Sequence, residues 1–445
     1  MIAFIQDKHK TQVVSAIKRL VSYPSILNQG ENGTPFGQAI SDVLEETLTI
    51  CRALGFQTFK DPEGYYGYAE IGEGKELLAI LCHLDVVPAG DLDKWQSDPF
   101  DAVIKDEVLY GRGVQDDKGP SMAALFAVKA LMDKGEVFTK RVRFIFGTDE
   151  ETLWRCLHRY NEHEETASMG FAPDASFPLI YAEKGLLQAR LLGPGSSDLA
   201  LAIGQAYNVV PARATYSGRL APALSKGLGQ LGYTFEEVGE TITVMGEARH
   251  SKDAPLATNA LVRLSKGLDV LIKHPAIDFI ANGVGEDATG AQLLGEIEDQ
   301  VSGKLSFNVA GLTVTKDFSE VRLDLRIPVL ADVGELVSDL TDAAATYGLT
   351  YQEHDYLAPL YVPKESQLVT TLMSVYQDQT GDMTPAKTSG GATFARTMPN
   401  CVAFGAGFPE TAKTEHQENE RVPLEDIYKA MAIYAEAVYR LACEK

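Results

Sequence analysis

Five separated stretches hold residue types that suit metal ligation and acid–base chemistry. The first is Leu77-Leu-Ala-Ile-Leu-Cys-His83-Leu-Asp85-Val-Val-Pro88, an apolar run that ends abruptly in a histidine and an acid. Alternation along a strand puts His83 and Asp85 on one side, and an imidazole beside a carboxylate suits a metal ligand with its orienting partner. The second is the pair Asp116-Asp117 in a glycine-bracketed loop, where neighbouring carboxylates repel unless a cation or solvent separates them. A turn carrying an N-cap aspartate explains the same residues as structure. The third pair, Glu150-Glu151, follows an apolar strand where a helix is expected to start, a position that the helix dipole also favours for acids. Asp174 stands alone among apolar and proline residues in Phe171-Ala-Pro-Asp174-Ala-Ser-Phe-Pro178, and His416 lies in the polar loop Thr414-Glu-His416-Gln-Glu-Asn-Glu420. Together His83, Asp116, Glu151, Asp174 and His416 supply two imidazoles and three carboxylates. Two metals that share one bridging carboxylate, each holding a further carboxylate and a histidine, need such a set. Glu150 is then left over as an uncoordinated acid, the requirement for a general base. Spacing does not fix which ligand pairs with which. The remaining histidines (His9, His158, His163, His274 and His354) are expected at the surface.

These groups must be placed by a scaffold, and the hydrophobic pattern predicts one. The run 77–82 reads as a strand buried on both faces, and ligands gather beyond the carboxyl ends of such strands in open α/β sheets. Helical periodicity covers 11–23 and 37–54, and strands are expected at 56–59 and 65–71. The strand 77–82, a helix over 121–132 and a strand over 141–146 predict a right-handed βαβ unit with a parallel sheet. From about Gly185 short alternating segments (186–192, 214–220, 241–245, 321–327) alternate with helices near 223–232 and 259–272, the pattern of an α+β module with mostly antiparallel strands. Within it, 283–303 is expected as an exposed excursion. Helix and buried strand return after Leu357, at 367–376, 402–404 and 424–442. The expected organisation is therefore an α/β catalytic domain (1–183 and 361–445) with a mixed, mainly parallel sheet flanked by helices, interrupted by an inserted α+β lid domain (184–360) with a mainly antiparallel sheet.

Composition narrows the class. At 445 residues, 45% apolar and 23% charged, the chain fits a globular protein of two domains. A formal net charge of −22 argues against nucleic acid or an anionic membrane as partner, since both require basic patches. The five cysteines are scattered without Cys-x-x-Cys spacing, which points to reduced thiols and a cytoplasmic location. No signal peptide is expected from the amino-terminal residues, and no stretch approaches the 18 or so apolar residues of a membrane span.

The order His83-x-Asp85, Gly113-x-x-Asp116-Asp117-Lys118, Glu150-Glu151, Asp174 and His416 resembles the co-catalytic zinc aminoacylase/carboxypeptidase family. Within that family the chain looks most like the bacterial dipeptidase V type, the Xaa-His or β-alanyl dipeptidases. That likeness rests on Trp95-Gln-Ser-Asp-Pro-Phe100, Glu150-Glu-Thr-Leu-Trp154, Gly170-Phe-Ala-Pro-Asp-Ala175, Ala182-Glu-Lys-Gly185 and Gly390-Gly-Ala-Thr-Phe-Ala-Arg396. The resemblance implies two divalent metals, zinc first, with manganese and cobalt also accepted by such ligands. By it His83 and Asp174 hold one metal, Glu151 and His416 the other, and Asp116 bridges. Asp85 orients His83, Glu150 activates a hydroxide shared by the metals, and a cis peptide follows Asp116. In the lid it implies Asn208, His250 and Arg326 as contacts to the tetrahedral intermediate and the substrate carboxylate, with the Gly390-Gly391 loop beside the substrate. An oxyanion needs a donor such as His250, and a carboxylate suits a bidentate arginine. The sequence departs from the family pattern at Pro255, at Thr258 before Asn259 and at Phe394 where tyrosine is common, so side-chain preference is open. The implied activity is hydrolysis of dipeptides with free termini, with removal of acyl groups from N-acyl amino acids on the same metals as the alternative. The small peptide is the only implied partner. The long segment near 275–310 resembles an enlarged lid that lets one chain complete its own site, favouring a monomer over a homodimer.

Overall fold

The computed structural model of the chain describes residues 4–31, 33–204 and 206–443. It divides into two compact units, Met1–Tyr181 with Tyr361–Lys387 and Ala392–Lys445, and Ala182–Leu360 with Thr388–Gly391.

The first unit is built on a mixed sheet. Its order within this unit runs Gln57–Lys60, Tyr66–Ile71, Arg141–Gly147, Leu77–His83, Met169–Ala172 and Cys401–Ala403. Leu77–His83 is buried along its whole length because it pairs in parallel on both sides, with Arg141–Gly147 and with Met169–Ala172. That explains why it reads as a continuous apolar run with no alternation. Cys401–Ala403 extends the parallel core, and Gln57–Lys60 and Tyr66–Ile71 add an antiparallel edge. The helix Lys118–Lys134 is buried along most of its length and packs on Asp7–Val21, on Leu424–Val438 and on Leu77–His83. Gly119 lets its first turn lie against the preceding loop: a Cβ there would stand 2.0 Å from the Val114 carbonyl oxygen.

The second unit has a five-stranded antiparallel sheet in the order Leu201–Ile203, Ser306–Val314, Phe318–Ile327, Gly185–Pro194 and Thr350–Leu357. A three-stranded antiparallel sheet (Arg213–Ser217, Thr241–Met245, Phe235–Val238) and the helices Ala221–Gln230, Ala260–Asp269 and Val333–Thr346 enclose a core that includes Leu187, Leu224, Leu264, Phe307 and Leu340.

Three expectations are corrected. No helix starts at Glu150: residues 150–153 form a turn and the helix is Arg155–His163, because Asp149 gathers the Arg155 main-chain N–H and guanidinium and so moves the start. Residues 283–303 are not simply an exposed excursion, since Leu293, Leu294 and Ile297 pack on the core of the second unit. His9 and His274 are buried, not at the surface. His9 Nε2 pairs with Asp133 at 3.1 Å, and His274 Nδ1 accepts from the Ala276 N–H at the start of a helical turn.

Candidate metal centre

Three neighbouring parallel strands end at one place, and each delivers part of the site. Leu77–His83 ends in His83 and continues to Asp85, Arg141–Gly147 leads to Glu150-Glu151, and Met169–Ala172 leads to Asp174. Asp116 immediately precedes Asp117 at the N-cap of Lys118–Lys134, and the Asp116–Asp117 peptide is cis. His416 comes from the loop before Arg421–Pro423 with a left-handed φ of 62°.

The five candidate ligands converge in two groups. His83 Nε2 lies 2.8 Å from Asp116 Oδ1 and 3.7 Å from Asp174 Oδ2. His416 Nε2 lies 3.0 Å from Asp116 Oδ2 and 3.1 Å from Glu151 Oε1. Within each group, one ligand atom per residue falls within 4.8 Å of the others, so Asp116 turns one oxygen to each.

His83 Nδ1 is 3.0 Å from the Asp85 main-chain carbonyl, which therefore takes the ring proton, while the Asp85 carboxylate is 3.7 Å away. That carboxylate instead accepts the N–H groups of Glu150 and Glu151, each at 3.0 Å. One residue thus sets both the His83 ring and the turn that presents the two glutamates. With Nδ1 donating, Nε2 points its lone pair at carboxylate oxygens, which is favourable only with a proton or a cation between them.

Electrostatics carry the same sign. Burial pushes Glu150 and Asp174 well above the usual carboxylate range, the charge of Asp174 adding to it at Glu150 and that of Asp116 at Asp174. Glu151 is raised by burial and by Asp116. Burial opposes protonation of His83, but Asp116, Asp85 and Asp174 outweigh it and hold its pKa well above ordinary. Hydrogen bonds to Asp116 and Glu151 push His416 up to about 11. Excess negative charge among nitrogen and oxygen donors fits a pair of divalent cations. Glu150 is the spare acid: among the described residues its carboxylate has no hydrogen-bond partner.

A pH dependence follows for the metal-free protein. Acids whose folded pKa is raised stabilise the fold fully below their unfolded values, and that stability is lost as pH rises through the folded values. The melting temperature of the metal-free protein is therefore expected to fall by several degrees between about pH 4.5 and pH 8, since a tenfold difference in proton affinity between folded and unfolded chains is worth about 1.4 kcal/mol. The metal-loaded protein should lose much less. Parallel melting curves for the two forms across this range would contradict the electrostatic argument.

The candidate lid residues gather in the second unit. Ser251 N donates to Asn208 O at 2.9 Å and Val209 bridges His250, so Asn208 and His250 sit side by side, both exposed. His250 Nδ1 accepts the Lys252 N–H at 3.1 Å, which leaves Nε2 as the donor of the neutral ring. Desolvation, with the charges of Arg326 and Lys252, lowers its pKa to about 4. Arg326 is buried and already holds Asp324 through Nε (2.7 Å) and Nη2 (3.0 Å), while Nη1 donates to the Gly390 carbonyl at 3.1 Å. The Gly391 N–H donates to Ser389 Oγ at 2.9 Å. Phe394 belongs to the first unit, where its buried ring stands edge-on to His83 with centroids 6.3 Å apart.

Sequence reasoning missed the residues that hold the Asp116 loop. Glu420, fully enclosed, accepts from Gly113, Gln115 and Asp116 N–H groups and from Arg112. It ends an acidic run that reads as solvated surface, and its distance in sequence from Asp116 left no local signal.

The comparisons with known proteins agree in kind. The model of peptidase family M20/M25/M40 matches residues 79–440. A Bacillus subtilis protein named "Putative dipeptidase YtjP" is 35% identical over 433 residues, 92% of each chain. The crystal structure of an M20 family metallo-carboxypeptidase from Sulfolobus solfataricus shares the fold with a TM-score of 0.62 at 19% identity, over 96% of this chain and 98% of that one. Aminoacylhistidine dipeptidase from Vibrio alginolyticus does so with a TM-score of 0.60 at 14% identity, over 97% of each. Among the described residues no helix is long and apolar enough to cross a membrane. The chain belongs to peptidase family M20/M25/M40 and is a peptide-bond hydrolase.

Proposed function

We propose that the protein is a di-metal dipeptidase that cleaves dipeptides with free termini, and that Asp116, with one oxygen in each ligand group beside the unpaired Glu150, is the observation that carries this reading. In it, His83 and Asp174 would hold one ion, Glu151 and His416 the other, and Asp116 would contribute to both. The ions, zinc in this reading, would supply Lewis acidity and a water that loses its proton near neutral pH. Asp85 sets the His83 ring through its carbonyl. Glu150, whose pKa burial raises, accepts a proton as the nucleophile forms and delivers it to the leaving amine. Residues 184–360 act as the lid inserted into the catalytic domain 1–183 and 361–445. His250 Nε2 and the Asn208 amide donate to the oxyanion, and Gly390 and Gly391 allow the substrate main chain to approach. Arg326 receives the substrate carboxylate, with Asp324 fixing its plane. The unpaired cysteines suit a reducing cytoplasm, and the long lid favours a monomer.

The test is a panel on metal-reconstituted protein: unblocked dipeptides against N-acetyl and N-succinyl amino acids. Hydrolysis of the dipeptides, with the acylated amino acids untouched, is expected. The reverse preference would make the protein an amidohydrolase on the same ions.

Arg326→Lys keeps Asp324 paired but loses the planar fork. It is expected to lower kcat/KM about 10-fold or more for dipeptides with a free carboxylate and far less for their amides, in line with charge-assisted hydrogen bonding. Equal losses on both would remove Arg326 from carboxylate recognition.

A further inference from the structure

The two ligand groups differ in how they are held. His83 and Asp174 stand at the ends of adjacent paired strands, and His83 is further fixed by its N–H to Asp117 Oδ2 at 3.2 Å. His416 has no such frame. It is exposed, lies on a loop, and must meet Asp116, which sits on another loop far earlier in the chain.

We propose that Glu420 is a positioning residue for the second ion site, gathering the main chain around Asp116 and, with Gln115, fixing the His416 loop to it. Glu420 Oε1 accepts the N–H groups of Gln115 (2.8 Å) and Asp116 (3.1 Å), and Oε2 accepts that of Gly113 (3.0 Å) and Arg112 Nη1 (2.7 Å). The Gly111 N–H donates to the Glu420 carbonyl at 3.0 Å. Held in this way, the Gln115 side chain turns to the other loop: Oε1 accepts from Thr414 N and Oγ1, both at 2.8 Å, and Nε2 donates to the Ala412 carbonyl at 3.0 Å. The Arg421 N–H donates to Thr414 Oγ1 at 3.0 Å, closing residues 414–421 around His416. Four hydrogen bonds to one buried carboxylate thus set the bridging ligand, and the residue in their midst clamps the loop of the second histidine.

All four partners of Glu420 are donors, so an amide of the same shape cannot replace it. In Glu420→Gln one oxygen becomes an NH2 group turned toward donors, and the loop must shift. The first ion keeps His83, Asp174 and their strands. The second depends on the register of two loops.

The inference rests on the ligand assignment of the proposed function, and one titration separates the two. Zinc is titrated calorimetrically into metal-free wild type, Glu420→Gln, Gln115→Ala and His416→Ala, and bound zinc is counted by mass spectrometry after dialysis. The expected result is two ions in wild type. In Glu420→Gln the second ion should bind about 10- to 100-fold more weakly, the range for residues that orient metal ligands, and the first, which shares Asp116 but keeps its strand-held His83 and Asp174, should weaken by a clearly smaller factor. Gln115→Ala should show the same asymmetry to a smaller degree. A second-ion affinity within about 2-fold of wild type in the variants, or equal weakening of both ions, would overturn the positioning role. If circular dichroism shows Glu420→Gln unfolded, Gln115→Ala decides alone by the same criteria. Two ions retained in His416→Ala would instead overturn the ligand assignment.

Discussion

Replacing Glu150 by alanine is expected to lower kcat on dipeptides by about 10³-fold or more while both ions stay bound, because general acid–base groups contribute roughly 10²–10⁴-fold. The expectation follows from two properties of the side chain. It is largely enclosed beside the ligand groups, and among the described residues it has no hydrogen-bond partner. Its pKa is raised by burial and by the charge of Asp174. Glu150→Gln should behave alike, since the amide keeps the volume and removes the basicity. Near-wild-type turnover in either variant would remove Glu150 from the proton transfer.

The second large effect is expected at Asp116. It is common to both ligand groups, so Asp116→Ala should leave neither with its three donors, and bound metal measured after dialysis should fall from two ions toward none. Activity should fall at least as far as in Glu150→Ala. The double variant should be no worse than Asp116→Ala, because groups that act as one unit do not contribute additively. Asp174→Ala and His416→Ala should each remove one ion. A tightly bound pair of ions in Asp116→Ala would show that Asp116 does not bridge.

Much of this was legible in the sequence, for physical reasons that differ by residue. His83 and Glu151 each follow an apolar run expected to be a buried strand, and Asp174 stands alone among apolar and proline residues, so each breaks its local pattern. Asp116 and His416 carry weaker signals, and for all five residues the pairing rests on the resemblance. The start of the 155–163 helix was misplaced because Asp149 caps through a side chain and an arginine that the apolar pattern does not register. The resemblance implies that Asp85 orients His83; that the Asp85 carbonyl faces the ring while its carboxylate accepts the Glu150 and Glu151 N–H groups is a matter of backbone geometry. Glu420 was invisible for a related reason. Its partners are mostly main-chain N–H groups, which leave no trace in residue types. His9 reads as a polar helix residue, yet its ring is buried against Asp133, a contact across 124 positions.

The central claim is that one carboxylate is shared by two cations, each with its own histidine. Anomalous-scattering maps of zinc-soaked crystals test it most directly. Two peaks are predicted, one among His83, Asp116 and Asp174 and the other among Asp116, Glu151 and His416. A single peak, or two peaks of which either lacks Asp116, would contradict it.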